Sequence, residues 1–480
     1  MIATGERHAL LIGGVWHEER GETLPLVDPA HDREIARLPV AEDADIDAVL
    51  AAVEAGQRVW AATSAYERSA VLREAARLMR ERCSDIARTV TREQGKPLAE
   101  AMIEVSIAAD ILDWCAEEGR RSYGRVIPSR SETMRLTVLR EPVGPVALFT
   151  PWNAPALMPA RKLGEALAAG CACILKPAQE APGAAVAICR TLTDAGIPAG
   201  AVNLMMGRTA RLSERIAAAP AIRKISFTGS TAVGRLMGEL AGRHIKPITL
   251  ELGGHAPVLV CADADLPKAV AAARAMKIRN AGQLCGSPSR FLVARAVYDD
   301  FVDLYAAALD DVVVGDGLDP ATQMGPLSND RRLAAMEQVV ASAHATGARV
   351  VAGGTRGAGA GYFFPPTLVR DVPLDCLLMS EEPFGPICAV CPFDDIEAAI
   401  AEANRLPYAL AAYAFTRDAG TAHLLQRRVR AGALGINTFA VTSPETPFGG
   451  WRDSGYGAEG GTEGVAGYLA TKFVAHDAGV

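Results

Sequence analysis

No apolar run in this chain approaches the roughly 18 residues needed to span a bilayer, so no membrane-spanning helix is expected. The opening stretch, MIATGERHALLIGGVW, lacks the basic start and long apolar segment of a secretory leader. There is no block of basic residues, and the formal net charge is −7. Nucleic acid and anionic membranes are therefore poor candidates for the main partner. Cysteine is too sparse for a disulfide framework: ten in 480 residues suit a reducing compartment, and a cytoplasmic location is expected. Metal-ligand spacing is missing as well. Cys171 and Cys173 (in CACILK) and Cys388 and Cys391 (in PICAVCPF) occupy apolar, strand-like segments. With no second C-x-x-C or spaced histidine pair, both read as core strand and no metal is expected.

What is present has the balance of a soluble globular enzyme, half hydrophobic and 22% charged. A chain of 480 residues exceeds what one hydrophobic core usually serves, so two or three domains are expected. Residues 42–120 carry apolar positions at helical spacing, as in Ile46, Val49 and Val53, then Val71, Ala75 and Leu78. Residues 122–141 change to short runs with Pro, Ser and β-branched residues, which suggests a hairpin arm standing off the main domain.

From 143 onward the short apolar runs VGPVALFT, CACILK, AVNLM, KISF and PITLEL alternate with helical stretches over 158–169, 184–194, 210–219 and 232–241. Buried strands alternating with helices imply a parallel, Rossmann-like sheet with right-handed crossovers. Ligands bind such sheets at the C-terminal ends of the strands. The fingerprint G-x-G-x-x-G is missing from this stretch. In its place TGSTAVG (228–234) leads from KISF into a helix, where free N–H groups and the helix dipole suit a pyrophosphate. The same residues also make an ordinary helix cap. A second α/β pattern starts at APVLV, with the domain change near Gly253-Gly254. The last segment, TEGVAGYLATKFVAH, ends in a strand-like run expected to pair with another sheet, one of a neighbouring subunit included.

The chain is organised around RNAGQLCGSPSR (279–290), where Gly282 and Gly286 flank Cys285 on a loop before the strand FLVA. A free cysteine is commonly just a small buried hydrophobe. Here five other stretches accompany it: TPWNAP (150–155), KPAQEAP (176–182), FTGSTAVG (227–234), LELGG (250–254) and EEPFGPI (381–387). In order and spacing the set resembles the aldehyde dehydrogenase superfamily over essentially the whole chain.

That resemblance implies an α/β fold with three parts. A Rossmann-like cofactor domain would take 1–121 and 142–252, and an α/β catalytic domain 253–455. A small β oligomerisation element, making dimers or tetramers, would take 122–141 and 456–480. It also implies roles. Cys285 matches the nucleophile, whose thiolate forms a thiohemiacetal. A free thiol with a pKa of ~8.5 is mostly protonated at neutral pH, so a base or positive field has to help it. Asn153 and the Cys285 N–H would stabilise the alkoxide. Glu251 matches the base that activates water against the thioester, and its presence favours a free acid as product over transfer to coenzyme A.

For NAD or NADP the resemblance assigns Lys176 to the adenosine ribose and Glu382 to the nicotinamide ribose. Phe384 would lie near the nicotinamide; Gly229, Ser230 and the backbone of Trp152 would meet the pyrophosphate. Gln179 departs from the pattern, since NAD-preferring members usually carry a glutamate there. A neutral amide does not repel a 2′-phosphate, so the cofactor preference stays open. Within the superfamily the chain resembles succinate-semialdehyde dehydrogenases, a likeness that implies that Arg161, Arg279 and Ser443 bind the substrate carboxylate. Two arginines making charge-assisted bonds to an anionic tail are physically sensible. Ser287 stands where some relatives carry a second, regulatory cysteine, so no such switch is expected. Gly286 leaves room for longer semialdehydes.

Other readings stay open at this level: glutarate or 2-oxoglutarate semialdehyde as substrate, or broad aldehyde specificity. A silent protein on this fold would not need Cys285, Glu251 and Asn153 together. A thiol hydrolase would leave Lys176 and Glu382 without a purpose, and dinucleotide binding separates both from a dehydrogenase.

Overall fold

The computed structural model describes residues 8–18, 21–357 and 359–479, so residues 1–7 of the opening stretch lie outside it. The chain starts with two hairpins not anticipated from sequence: β1 (Leu10–Ile12) with β2 (Val15–His17), and β3 (Thr23–Asp28) with β4 (Arg33–Pro39). Four helices follow: α1 (Asp43–Ala62), α2 (Ala65–Glu81), α3 (Cys83–Gln94) and α4 (Leu98–Gly119). Ser64 starts α2 with a capping box, accepting from the Glu67 N–H while Glu67 reaches back. Gly95, at φ 96°, ends α3 in the left-handed conformation that suits glycine. Ile46, Val49 and Val53 are buried as expected, but on α2 the inner stripe is Leu72, Ala75, Ala76 and Met79.

The arm is β5 (Arg125–Ile127) and β6 (Met134–Pro142), an antiparallel pair. Then come β7 (Val146–Phe149), α5 (Leu157–Ala169), β8 (Cys173–Lys176), α6 (Gly183–Asp194), β9 (Val202–Leu204), α7 (Thr209–Ala218), β10 (Lys224–Thr228), α8 (Thr231–Arg243) and β11 (Ile248–Glu251). The five strands pair in parallel in the order β9-β8-β7-β10-β11. Each is a short apolar run because helices cover both faces of such a sheet. The outer positions are antiparallel: β1 on β9, and β21 (Gly455–Tyr456) on β11. A G-x-G-x-x-G string does occur at 455–460, but its first two residues are this edge strand itself, and its last N–H donates to Glu165 Oε1 at 2.6 Å.

The second α/β unit runs through β12 (Ala256–Val260), α9 (Leu266–Ile278), β13 (Pro288–Ala294), α10 (Tyr298–Asp310), α11 (Asp330–Ala345), β14 (Arg349–Ala352) and β15 (Thr367–Arg370). It continues with α12 (Leu377–Ser380), β16 (Ile387–Phe393), α13 (Ile396–Ala403), β17 (Tyr408–Ala409), β18 (Ala411–Phe415), α14 (Ala419–Arg428) and β19 (Ala433–Ile436). Its sheet order is β14-β15-β16-β13-β12-β18-β19. The short β20 (Trp451–Arg452) pairs with β17.

After α15 (Gly461–Ala466), which packs on α4 and α5, comes β22 (Leu469–Asp477). The tail does not need a neighbouring subunit to pair. Nine consecutive residue pairs join β22 to β6 of its own chain, giving a three-stranded sheet β22-β6-β5. Cys173 lies on β8 and Cys388 and Cys391 on β16, all buried, as is Cys171. Among the described residues no helix is long and apolar enough to cross a membrane.

Candidate active site

Strand order reverses between β7 and β10, with β8 and β9 to one side and β11 to the other. A crevice outside the strand ends at such a switch point is the usual ligand site of an open α/β sheet. TPWNAP leaves β7 here, and Thr228, Gly229 and Ser230 leave β10. The hydroxyls of Thr150 and Thr228 are buried without a hydrogen-bond partner, so a polar ligand in the crevice would satisfy them. Ser230 caps α8, its Oγ accepting from the Val233 N–H at 3.4 Å. The hydroxyl proton stays available to an anion. Lys176 ends β8 and is buried, which brings its pKa down to about 8. Gln179 Nε2 donates to the Gly207 carbonyl at 2.5 Å and so bridges the loops after β8 and β9. These residues fit a dinucleotide.

Cys285 follows a 3₁₀ turn, Arg279–Gly282, in which Asn280, Ala281 and Gly282 take φ of 52°, 50° and 69° in succession. Left-handed conformation is costly for asparagine and alanine and persists only where the surroundings enforce it. Here Asn280 Nδ2 and Asn153 Nδ2 both donate to the Gln283 carbonyl, at 3.1 Å and 2.9 Å, two residues before the thiol. Cys285 is half-buried. Burial pushes its thiol up to about 12, and the carboxylates of Glu382 and Glu251 push the same way. The main charges acting on the thiol are thus the carboxylates, so of the base or positive field expected only a candidate base is present in the ligand-free chain. The room expected beside Gly286 is also taken: a Cβ there would lie 3.2 Å from the Tyr413 hydroxyl, which donates to the Gly286 carbonyl at 2.7 Å.

Glu251 ends β11, buried, with neither carboxyl oxygen hydrogen-bonded. Burial first, and then Glu459, raise its pKa well above the usual range. Glu382 Oε1 accepts from the Gly254 N–H at 3.1 Å. Burial raises that carboxyl to about 8, against the pull of Arg332 and Lys277. Phe384, at φ 43°, meets the Trp152 ring edge-on at 5.5 Å, which brings EEPFGPI against TPWNAP.

The substrate-side residues are more dispersed. Arg161 lies in α5, 4% exposed, with its Nε buried and unpartnered, and its charge acts on Glu251. Arg279 is exposed beyond α9, and its charge acts on Glu100. Among the described residues neither arginine is within ion-pair range of a carboxylate. Ser443 sits in the loop after β19, its N–H donating to Thr446 Oγ1 at 2.9 Å. Sequence reasoning missed a second tier of buried polar side chains, including Lys96, Glu104, Lys162, Glu165, Asn280, Gln283 and Glu459. A surface depression of about 640 Å³ lies elsewhere, at the N-terminal end of α9.

A switch-point crevice whose residues fit a dinucleotide, with a loop thiol and the carboxyls of Glu251 and Glu382 acting on it, has the arrangement of a nicotinamide-dependent oxidoreductase. The aldehyde dehydrogenase family matches residues 16–474, and the chain belongs to that family. It is 47% identical over 466 residues to the 4-(hydroxymethyl)benzenesulfonate dehydrogenase of Comamonas testosteroni, covering 97% of each chain. It is 41% identical over 472 residues to the NADP⁺ succinate-semialdehyde dehydrogenase of Escherichia coli strain K12, covering 98% of this chain and 97% of the other. The crystal structure of succinate-semialdehyde dehydrogenase from Burkholderia pseudomallei superposes with a TM-score of 0.96 at 39% identity, covering 98% of both. The protein is an NAD(P)-dependent aldehyde dehydrogenase.

Proposed function

We propose that Cys285 is the nucleophile of a non-acylating dehydrogenase that oxidises an aldehyde with an anionic tail, succinate semialdehyde first among them. The observation that carries the reading is the anchoring of Asn153 Nδ2 on the Gln283 carbonyl, with Glu251 and Glu382 both acting on the Cys285 thiol. Cys285 Sγ bonds the aldehyde carbon while Asn153 and the Cys285 N–H receive the alkoxide. Bound oxidised NAD(P) supplies a cationic ring and the acceptor for the hydride. Glu251 then takes a proton from water as the water attacks the thioester, and Cys285 leaves as thiolate. Lys176, Gln179, Gly229, Ser230, Trp152, Glu382 and Phe384 hold the cofactor.

Gln179 carries no charge to repel a 2′-phosphate, so NADP⁺ is a substrate. Gln179→Glu is expected to lower kcat/KM for NADP⁺ about 100-fold relative to NAD⁺, because like charges in contact cost several kcal/mol. Steady-state kinetics with each cofactor would check it, and an unchanged ratio would remove Gln179 from the ribose site.

The unpartnered Nε of Arg161 and the unpaired Arg279 supply cations for the tail. The 47% relative named for a benzenesulfonate favours a second reading, in which the anion is an aromatic sulfonate. Arg161→Ala and Arg279→Ala are each expected to lower kcat/KM for the preferred anionic aldehyde by about 10- to 100-fold, the worth of one charge-assisted bond. An uncharged aldehyde should be nearly unaffected. Succinate semialdehyde, glutarate semialdehyde and 4-formylbenzenesulfonate assayed side by side decide which tail is preferred. Equal losses on the uncharged aldehyde would sink the anion clamp.

We read the three largest sheets as a cofactor unit, a catalytic unit and an oligomerisation element, with β22-β6-β5 as the last. Val126, Leu139 and Phe473 stay exposed on that small sheet, which suits a homodimer or homotetramer. Ten free cysteines suit a reducing cytoplasm.

A further inference from the structure

Asn153 is held from both flanks by groups outside its own motif. Its carbonyl oxygen accepts from Lys96 Nζ and from Asn280 Nδ2, each at 2.9 Å. Lys96 and Glu104 are 5% and 4% exposed and pair at 2.5 Å between Nζ and Oε2. The other oxygen of Glu104 accepts from the N–H groups of Ala156 at 2.8 Å and Leu157 at 3.1 Å. Those N–H groups open α5, which has no side-chain cap of its own. The pair therefore ties the start of α4 to both ends of residues 153–157.

The nucleophile loop is tied to the same helix one turn earlier. Glu100 Oε2 accepts from the Asn280 N–H at 2.8 Å, at the start of the left-handed turn before Cys285. Residues four apart on a helix lie on one face. Glu100 thus anchors the loop of the thiol, and Glu104 with Lys96 anchors the loop of the oxyanion donor. A buried ion pair is costly to desolvate and gives weak stability for that cost. Here every bond of the pair fixes backbone beside the reacting groups.

We infer that Lys96 and Glu104 are positioning residues that set the Asn153 carboxamide against Cys285. The inference rests on the roles proposed for those two residues. A carboxamide has two N–H bonds; one is committed to the Gln283 carbonyl and the other is left for the alkoxide. A small displacement of the Asn153 backbone makes that second N–H miss an oxygen that is anionic only in the tetrahedral state. The loss then falls on kcat and not on binding.

In the full-length enzyme, Lys96→Met is expected to lower kcat roughly 100-fold, as for a lost oxyanion donor. The KM for aldehyde and the Kd for cofactor should stay within about twofold. Alkylation of Cys285 by iodoacetamide should also hold, because it forms no oxyanion. In an Asn153→Ala background, adding Lys96→Met should cost no more than about twofold further, since both remove one interaction. Glu104→Gln should repeat the pattern, and it serves if Lys96→Met does not fold. Its amide oxygen still accepts from Ala156 and Leu157, while Lys96 loses its anion. An unchanged kcat overturns the inference. So does loss of alkylation and cofactor binding in parallel with kcat, which would mark a merely structural pair, or a full additional loss on the Asn153→Ala background. Asn153→Ala that retains kcat removes the oxyanion role itself, and is seen without any Lys96 variant.

Discussion

Cys285→Ala is expected to lower aldehyde oxidation by at least about four orders of magnitude while leaving dinucleotide binding intact, because no other group can form the covalent intermediate. An aldehyde carbon is trigonal, and it gives up hydride readily only after a nucleophile has made it tetrahedral. The state of the thiol before substrate arrives is a second, independent readout. Burial together with Glu382 and Glu251 pushes it up to about 12 in the ligand-free chain. Iodoacetamide should therefore label Cys285 slowly near neutral pH, and faster once the cationic oxidised cofactor is added. Cys83 is the other half-buried thiol and is distinguished by peptide mass, while the remaining eight cysteines are buried. Calorimetry with NAD⁺ and NADP⁺ checks that the variant still binds. Rapid labelling without cofactor would show that this account of the thiol is wrong, and residual turnover in the variant would show that the nucleophile is another group.

The alternation of strands and helices was legible because strands covered on both faces carry unbroken apolar runs, as in CILK and APVLV. The parallel order of the first sheet follows from that alternation. On α2 both Val71 and Leu72 are apolar, so periodicity alone permitted either face. Packing of α2 on α4 and α5 turned Leu72 and Met79 inward. The tail was legible as a strand but not as to partner, since its pairing with β6 joins residues more than 300 apart in sequence.

Candidate site residues on motif loops stood out because glycine, proline and polar residues interrupt the apolar runs there. Lys96, Glu104, Lys162 and Glu459 did not, because burial of a cation depends on partners brought from far along the chain. Lys96 reads as a solvated residue before a helix until Asn153, 57 positions away, supplies its carbonyl. Lys162 reads as one more polar residue of α5 until Glu459, 297 positions on, pairs with it.

That second pair bears on the other large effect. Glu251→Gln is expected to lower steady-state turnover by about 10²- to 10⁴-fold, the usual worth of a general base. The first half-reaction should survive, so that about one equivalent of reduced cofactor per subunit appears in a burst and the acyl-enzyme accumulates. The surroundings of Glu251 raise its affinity for a proton, as the proposed base requires. Three buried carboxyls, Glu165, Glu251 and Glu459, share this region with the cations of Arg161 and Lys162. Lys162 donates to Ser226 Oγ at 2.7 Å and pairs with Glu459, whose charge in turn raises both Glu251 and Glu165. Burial and the charge of Glu459 hold both Glu251 and Glu165 above the usual carboxylate range, against the pull of Arg161 and Lys162. A raised base must first ionise, so wild-type turnover should climb with pH and be lost as pH falls through the raised pKa. In the glutamine variant the burst should remain while this pH dependence of hydrolysis disappears. Stopped-flow absorbance of the reduced cofactor, with mass spectrometry of the trapped acyl-enzyme, measures both. A variant that lacks the burst would place Glu251 before hydride transfer, and one with undiminished turnover would exclude it as the base that attacks the thioester through water.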